Sequence, residues 1–407
     1  MLYTIIECEF MKNIHRLMLA SFLFGLSFSL PIETLFFIEK GISLYELMIL
    51  ESILLISVII FEIPTGIIGD KIGRKWSLVF SFVINIFAWI PWLLADSFFL
   101  FAITFFMFGI ACAFYSGSDQ ALIYDDLKAV GKEGKMKKVY GMYDSMKVFS
   151  AGIAALIGGY IAHQHLLEEF YNLFFLCIVA QIIGLIVLLT VKEPSRSIKG
   201  MQKKHAPEKA LVLFKDGIRL ILSNKKLRKI LLLSAFTMPF SYVLIRFYQP
   251  YFKLADVPNI WFGQALFLSC ILSAFAKIFA YKIESIFGVD KGTLIITIVP
   301  SILWGLMAVV FHPALAIMIF ILNDGAGCIR DPIFADYQNR HIESKNRATV
   351  LSTISLIISL YHLIMRPIIG YFADIDIRYS FIIMAVLILF GAIIFRIKEE
   401  DVKPNTL

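Results

Sequence analysis

Gly66-Ile67-Ile68-Gly69-Asp70-Lys71-Ile72-Gly73-Arg74-Lys75 joins two long apolar runs, Ile42 to Ile68 and Trp76 to Leu94. Each run can cross a bilayer, which takes roughly 20 apolar residues in a helix. The small residues Gly66 and Gly69 are expected to let the two helices approach closely where the chain turns back. Asp70, Arg74 and Lys75 place a fixed carboxylate beside cations at the membrane surface.

The rest of the chain has the same character. Hydrophobic residues make up 59% of it and charged ones only 17%. Twelve helical spans are predicted, near residues 16–38, 44–68, 76–95, 98–123, 138–162, 170–191, 229–252, 260–281, 292–311, 314–337, 348–373 and 379–396. The runs are too long for barrel strands and do not alternate. The first is too long and too late for a cleaved signal. Four of the five cysteines (Cys112, Cys177, Cys270, Cys328) fall inside spans and Cys8 precedes them, in a spacing that fits neither a zinc site nor a disulfide framework.

The net charge of +7 is distributed with a strong bias. With the N-terminus in the cytoplasm, thirty Lys and Arg fall in cytoplasmic tails and loops, and three (Lys40, Lys253, Arg378) fall outside. The remaining five (Lys147, Arg246, Lys277, Arg330, Arg366) lie within spans. That asymmetry orients the protein, with both termini cytoplasmic in a plasma membrane (the inner membrane of a bacterium). Residues 192–228 read as a basic cytoplasmic linker, with an amphipathic helix near Ala210–Leu222 expected to lie on anionic lipid. Phe214 is the one Phe, Tyr or Trp among these cations, not the interleaving that single-strand binding uses, so nucleic acid is not an expected partner.

The linker separates an N-terminal six-helix bundle, 1–191, from a C-terminal one, 229–407. A shift of 215 residues lays Gly73 on Gly288, Trp89 on Trp304, and Gly41-Ile42-Ser43 on Asp256-Val257-Pro258. Further on, a shift of 211 lays Gly159-Tyr160-Ile161-Ala162 on Gly370-Tyr371-Phe372-Ala373. Two related halves are the sequence trace of a transporter built from repeats. The halves also differ: Asp70 falls on Ser285, and Glu62 on Lys277.

Gly66 to Lys75 resembles the loop between helices two and three in the major facilitator superfamily, where Gly, Asp, Gly and Arg-Lys fall at this spacing. The resemblance implies an all-α integral membrane fold of twelve helices in two six-helix repeats, with Gly66, Gly69, Asp70, Gly73, Arg74 and Lys75 as a gating motif. Arg330-Asp331-Pro332 and Arg347-Ala348-Thr349-Val350-Leu351-Ser352 also resemble a broad, efflux-like bacterial branch of it. Two departures bear on activity. The helix-four arginine of the drug–proton antiporters is missing from Phe105-Phe106-Met107-Phe108-Gly109-Ile110. Ala154-Ala155 stand where helix five of those proteins has Gly-Pro.

Ionisable groups at membrane depth are costly and mark function by default. The candidates for coupling or substrate contact are Glu33, Glu62, Asp119, Arg246, Lys277, Asp324, Arg330, Asp331 and Arg366. At 1.5 Å per residue, Asp324 comes out near the midplane, and its ionised form would need a cation from substrate or Arg246. Arg330 and Asp331 are expected to neutralise each other, and Lys147 to pair with Asp144 one turn away. Tyr242, Tyr248, Gln249, Tyr361 and His362 carry polar tips on helices that line the pathway in the resembled family. The aromatic content, 14%, is mostly phenylalanine, which is ordinary in lipid-facing helices.

No zinc-binding His-Glu spacing, nucleotide loop or nucleophile elbow is present, so neither an enzyme nor an ATP-driven pump is expected. No metal or cofactor is expected either. The reading is a monomeric secondary transporter that exports a small organic molecule by alternating access, coupled to protons through Glu33, Glu62, Asp119 or Asp324. The alternative within transport is an importer of an anionic metabolite or metal chelator. The alternative of another class is a non-transporting receptor or scaffold, which would be expected to carry an appended soluble domain.

Overall fold

A computed structural model describes residues 2–162, 166–193, 207–238, 240–343 and 346–403. Its elements are α1 (Leu2–Phe24), α2 (Glu33–Glu39), α3 (Leu44–Ile72), α4 (Arg74–Leu93), α5 (Phe98–Tyr115), α6 (Ser118–Ala129), α7 (Met136–Ile161) and α8 (Leu166–Leu189). They continue as α9 (Pro207–Ser223), α10 (Lys225–Thr237), α11 (Phe240–Leu254), α12 (Ile260–Met307), α13 (Pro313–Arg340), α14 (Arg347–Ile375), α15 (Ile377–Ile394) and α16 (Glu399–Val402). Among the described residues, nine helical stretches are long and apolar enough to cross a membrane. Residues 194–206 of the expected basic linker lie outside the described residues.

Several expected spans are interrupted. The span expected over 16–38 is two helices, α1 and α2, with turns between them. Pro31 lacks an N–H for a helix there, and the turn is wedged against α7. A Cβ on Gly158 would lie 1.9 Å from the Phe28 carbonyl oxygen, and one on Gly25 would lie 2.2 Å from Ser150 Oγ. The span expected over 98–123 breaks at Gly117, whose φ is +71°, into α5 and α6. That expected over 229–252 divides into α10 and α11. Conversely, the spans expected over 260–281 and 292–311 join in the 48-residue α12, which breaks at Gly288 (φ +71°). Interrupted helices at membrane depth are tolerated where protein or a cavity covers the freed backbone.

The repeat is visible in the backbone. Gly73 and Gly288, matched in sequence, both have positive φ at a helix break. Gly41 and Asp256, also matched, both have positive φ, and Asp256 is the one non-glycine residue of that kind among those described. Each ends its helix with the same pair of hydrogen bonds. Ile42 N–H reaches the Phe37 carbonyl at 2.9 Å, as Val257 N–H reaches that of Phe252 at 2.9 Å. Gly41 and Asp256 N–H close the inner bond of the motif.

The helices gather into two compact units, Met1–Ile42 with Leu50–Lys203, and Ser43–Ile49 with Lys204–Leu407. The phenylalanines of the first unit serve both surface and core: Phe87, Phe99, Phe149 and Phe175 are exposed. Phe36, Phe37, Phe101, Phe105, Phe170 and Phe174 are buried around Trp92, and Phe36 stacks on Phe170 with centroids 3.8 Å apart. In the second unit α9 does not present its apolar face to lipid. Ile221 is buried with Leu227, Leu231, Ile342, Val350 and Ile354. A Cβ on Gly217 would lie 2.1 Å from Thr353 Oγ1 of α14.

Candidate transport site

The motif between α3 and α4 is built around its third glycine. Gly73 is the N-cap of α4 with φ +117°, a conformation that favours glycine. A Cβ there would lie 2.2 Å from Glu193 Oε2, because Glu193 sits directly under the start of α4. Its Oε1 accepts from Arg74 N–H at 2.7 Å, placing a carboxylate at the positive end of the helix. Asp70 pairs with Arg74 one turn away. Lys75 Nζ donates to the Leu189 carbonyl at 2.8 Å. Close approach occurs at Gly69, where a Cβ would lie 3.3 Å from Ser77, but not at Gly66, which has open space around it. The expectation for Gly66 is therefore corrected. Sequence reasoning missed Glu193; the available signal was a lone acid just after the last span of the first half.

Asp119 and Lys147 form a second cluster in the first unit. Lys147 Nζ is 3.5 Å from Asp119 Oδ2 and lies over two rings, 4.2 Å from the centroid of Tyr115 and 5.3 Å from that of Tyr143. The two tyrosine hydroxyls are hydrogen-bonded to each other. The expected pairing of Lys147 with Asp144 gives way to Asp119, because the turn at Gly117 brings the start of α6 against α7.

In the second unit the residues near Asp324 come from α12 and α13. Asp324 is buried, and its Oδ2 accepts from Ser273 Oγ at 2.8 Å. Lys277, one turn beyond Ser273, is a cation that acts on it, where the sequence pointed to the substrate or Arg246. Lys277 Nζ also lies 3.8 Å from Asp331 Oδ2, so Asp331 is served by Lys277 across the helix pair. Arg330, fully buried, donates to the carbonyls of Thr237 and Gly327. The Thr237 carbonyl is an acceptor left open where α10 stops, and Arg330 satisfies it. Arg330 and Asp331 act on each other as expected, and each has a further partner from these two arrangements.

Further along the same unit, Tyr242 of α11 lies under the Arg366 guanidinium of α14, 5.7 Å from ring centroid to Cζ. The His362 ring is 6.2 Å from that of Tyr242. Tyr248 and Gln249 are buried, and Tyr248 stacks on Phe320 at 4.5 Å. Both therefore belong to the core. Glu33 is half-buried at the start of α2 and Glu62 is exposed on α3; neither joins the clusters above.

The Major Facilitator Superfamily sequence profile matches residues 17–328 and again 257–407. The chain belongs to the major facilitator superfamily. It is 23% identical over 395 residues to the "Uncharacterized MFS-type transporter YxaM" of Bacillus subtilis (strain 168), spanning 92% of this chain and 93% of that one. Solved structures of similar fold include the nucleoside transporter NupG, with TM-score 0.77 at 16% identity over 95% of this chain and 100% of that one. A D-xylose-proton symporter gives TM-score 0.73 at 13% identity over 97% of this chain and 99% of that one. This member of the superfamily is thus an integral membrane protein of the secondary-transporter kind, not an enzyme.

Proposed function

We propose that this transporter is a proton-coupled exporter of a small organic molecule, working by alternating access as a monomer in the plasma membrane, with both termini cytoplasmic. Asp324 carries the coupling. It lies about 16 Å along α13 from Pro313 at 1.5 Å per residue, with Ser273 as hydrogen-bond donor and Lys277 as the nearby cation. A carboxylate enclosed in this way is less costly to hold neutral than charged. Taking up a proton and engaging a cation are then alternatives, and their competition links proton flow to substrate. The motif from Gly66 to Lys75, tied to Glu193, is the cytoplasmic latch. Export is favoured by the resemblance to the efflux-like branch. The fold is compatible with proton coupling, since one similar structure is a D-xylose-proton symporter.

Import of an anionic metabolite or metal chelator is the second reading, favoured by Arg246, Lys277 and Arg366 in the second unit. Arg330 drops out of that argument because it is engaged with backbone carbonyls. Proteoliposomes with an imposed pH gradient test both readings, using uptake and efflux of a compound panel. Asp324→Asn is expected to abolish gradient-driven accumulation while sparing energy-independent exchange. Accumulation equal to that of the native protein would make Asp324 structural and turn attention to Glu33.

A further inference from the structure

We infer that the second unit holds an organic-anion subsite formed by Tyr242 and Arg246 of α11 with His362 and Arg366 of α14. This deepens the reading of the chain as a small-molecule transporter and rests on it. Arg246 follows Tyr242 by one turn and Arg366 follows His362 by one turn, so each pair shares a helix face. The two faces meet at Tyr242, which lies 5.7 Å from the Arg366 guanidinium and 6.2 Å from the His362 ring. Tyr242 is 68% exposed although it lies within an apolar span, so one side of its ring is open to a guest. A polar atom of this cluster, His362 Nε2, is buried with no hydrogen-bond partner among the described residues. Buried polar atoms left unsatisfied are rare and costly. A ligand that reaches it would recover that cost.

The chemistry selects the guest. Guanidinium groups bind carboxylate or phosphate oxygens through paired, charge-assisted N–H bonds. An open aromatic face beside them suits a flat, apolar body. The class is therefore an aromatic or heteroaromatic carboxylate or phosphate monoester. Asp324, Ser273 and Lys277 are not part of the subsite, and binding measured without a proton gradient distinguishes failure of the subsite from failure of the coupling reading.

The test is thermal unfolding of the purified full-length protein in detergent, with no pH gradient. The probes are benzoate, nicotinate and phenyl phosphate, each beside an uncharged counterpart (benzamide, nicotinamide, benzyl alcohol). At least one anion is expected to raise Tm by several degrees while its counterpart does not, and the better anion tells carboxylate from phosphate. Arg246→Gln and Tyr242→Ala should each remove most of the shift, and Arg366→Lys should retain part of it. Shifts that are equal for anions and counterparts, or that survive both Arg246→Gln and Tyr242→Ala, would overturn the proposal. Absence of any shift would do the same.

Discussion

Gly73→Ala is the most informative single change in the latch. The native φ of +117° costs a residue with a Cβ about 1–3 kcal/mol. The new Cβ would also sit 2.2 Å from Glu193 Oε2, so the carboxylate must leave. Arg74 N–H then loses an acceptor now at 2.7 Å. A hydrogen bond to a charged group contributes about 1.5–3 kcal/mol, discounted here to about 1 because Glu193 is only half-buried and water can replace it. The total is about 2–4 kcal/mol against the native arrangement. For a cooperative unit of roughly 200 residues, each kcal/mol moves Tm by roughly 2–4 °C, so a fall of roughly 4–16 °C is expected. Unfolding can be followed with a thiol-reactive dye, since Cys177 is a buried free thiol. Glu193→Ala removes the clash as well as the cap. The double variant should therefore cost less than the sum of the singles, by about 1 kcal/mol or more. A Gly73→Ala protein that unfolds within 1 °C of native, or strict additivity with Glu193→Ala, would refute the argument.

Other outcomes follow from the same geometry. Arg330→Leu should lower stability by about 2–4 kcal/mol, because the Thr237 and Gly327 carbonyls lose a charged donor; detergent-solubilised yield and Tm read this, and unchanged values would show that the α10 terminus needs no such donor. Lys147→Met should weaken transport more than it weakens folding, since Asp119 would be left buried without its cation; transport equal to native at equal expression would make the pair purely structural. At the cytoplasmic end of the second unit, α16 is held by Lys229 on Asp401 at 2.5 Å and by His341 Nε2 on the Asp401 carbonyl at 2.6 Å. Burial is the largest influence on His341 and pushes its basicity down, with Lys226 and Arg340 adding to the effect and Asp401 opposing it. The folded form therefore holds fewer protons than the unfolded one, and the strap should be stable above an unfolded histidine pKa of about 6.5 and weaken as pH falls through it. Hydrogen-exchange protection at residues 397–403, corrected for the intrinsic pH dependence of exchange, should fall between pH 8 and pH 5.5, and His341→Gln should flatten that dependence.

Much of this protein was legible in the chain because a bilayer imposes simple rules. Length and apolarity of the runs give helices, and the bias of Lys and Arg gives an expected orientation. The shift of 215 gives the repeat, down to the matched positive φ at Gly41 and Asp256 and at Gly73 and Gly288. The interruptions were less legible, since an apolar run looks continuous whether or not a neighbour presses on it. Gly25 and Gly158 break and admit the first span only because Phe28 and α7 meet there. Partners of charged groups were least legible of all. Sequence proximity pointed Lys147 to Asp144 and Arg330 to Asp331; the first gives way to Asp119, and the second gains partners that other helices bring within reach. Asp119, Lys277 and the Thr237 carbonyl were chosen by helix packing, and Glu193 became the cap of α4 through a contact 119 residues away. The sequence by itself determined how many polar groups had to be accommodated in an apolar setting; only the tertiary structure decided which of them satisfy one another, because desolvated charges are stabilised by distance in space and not along the chain.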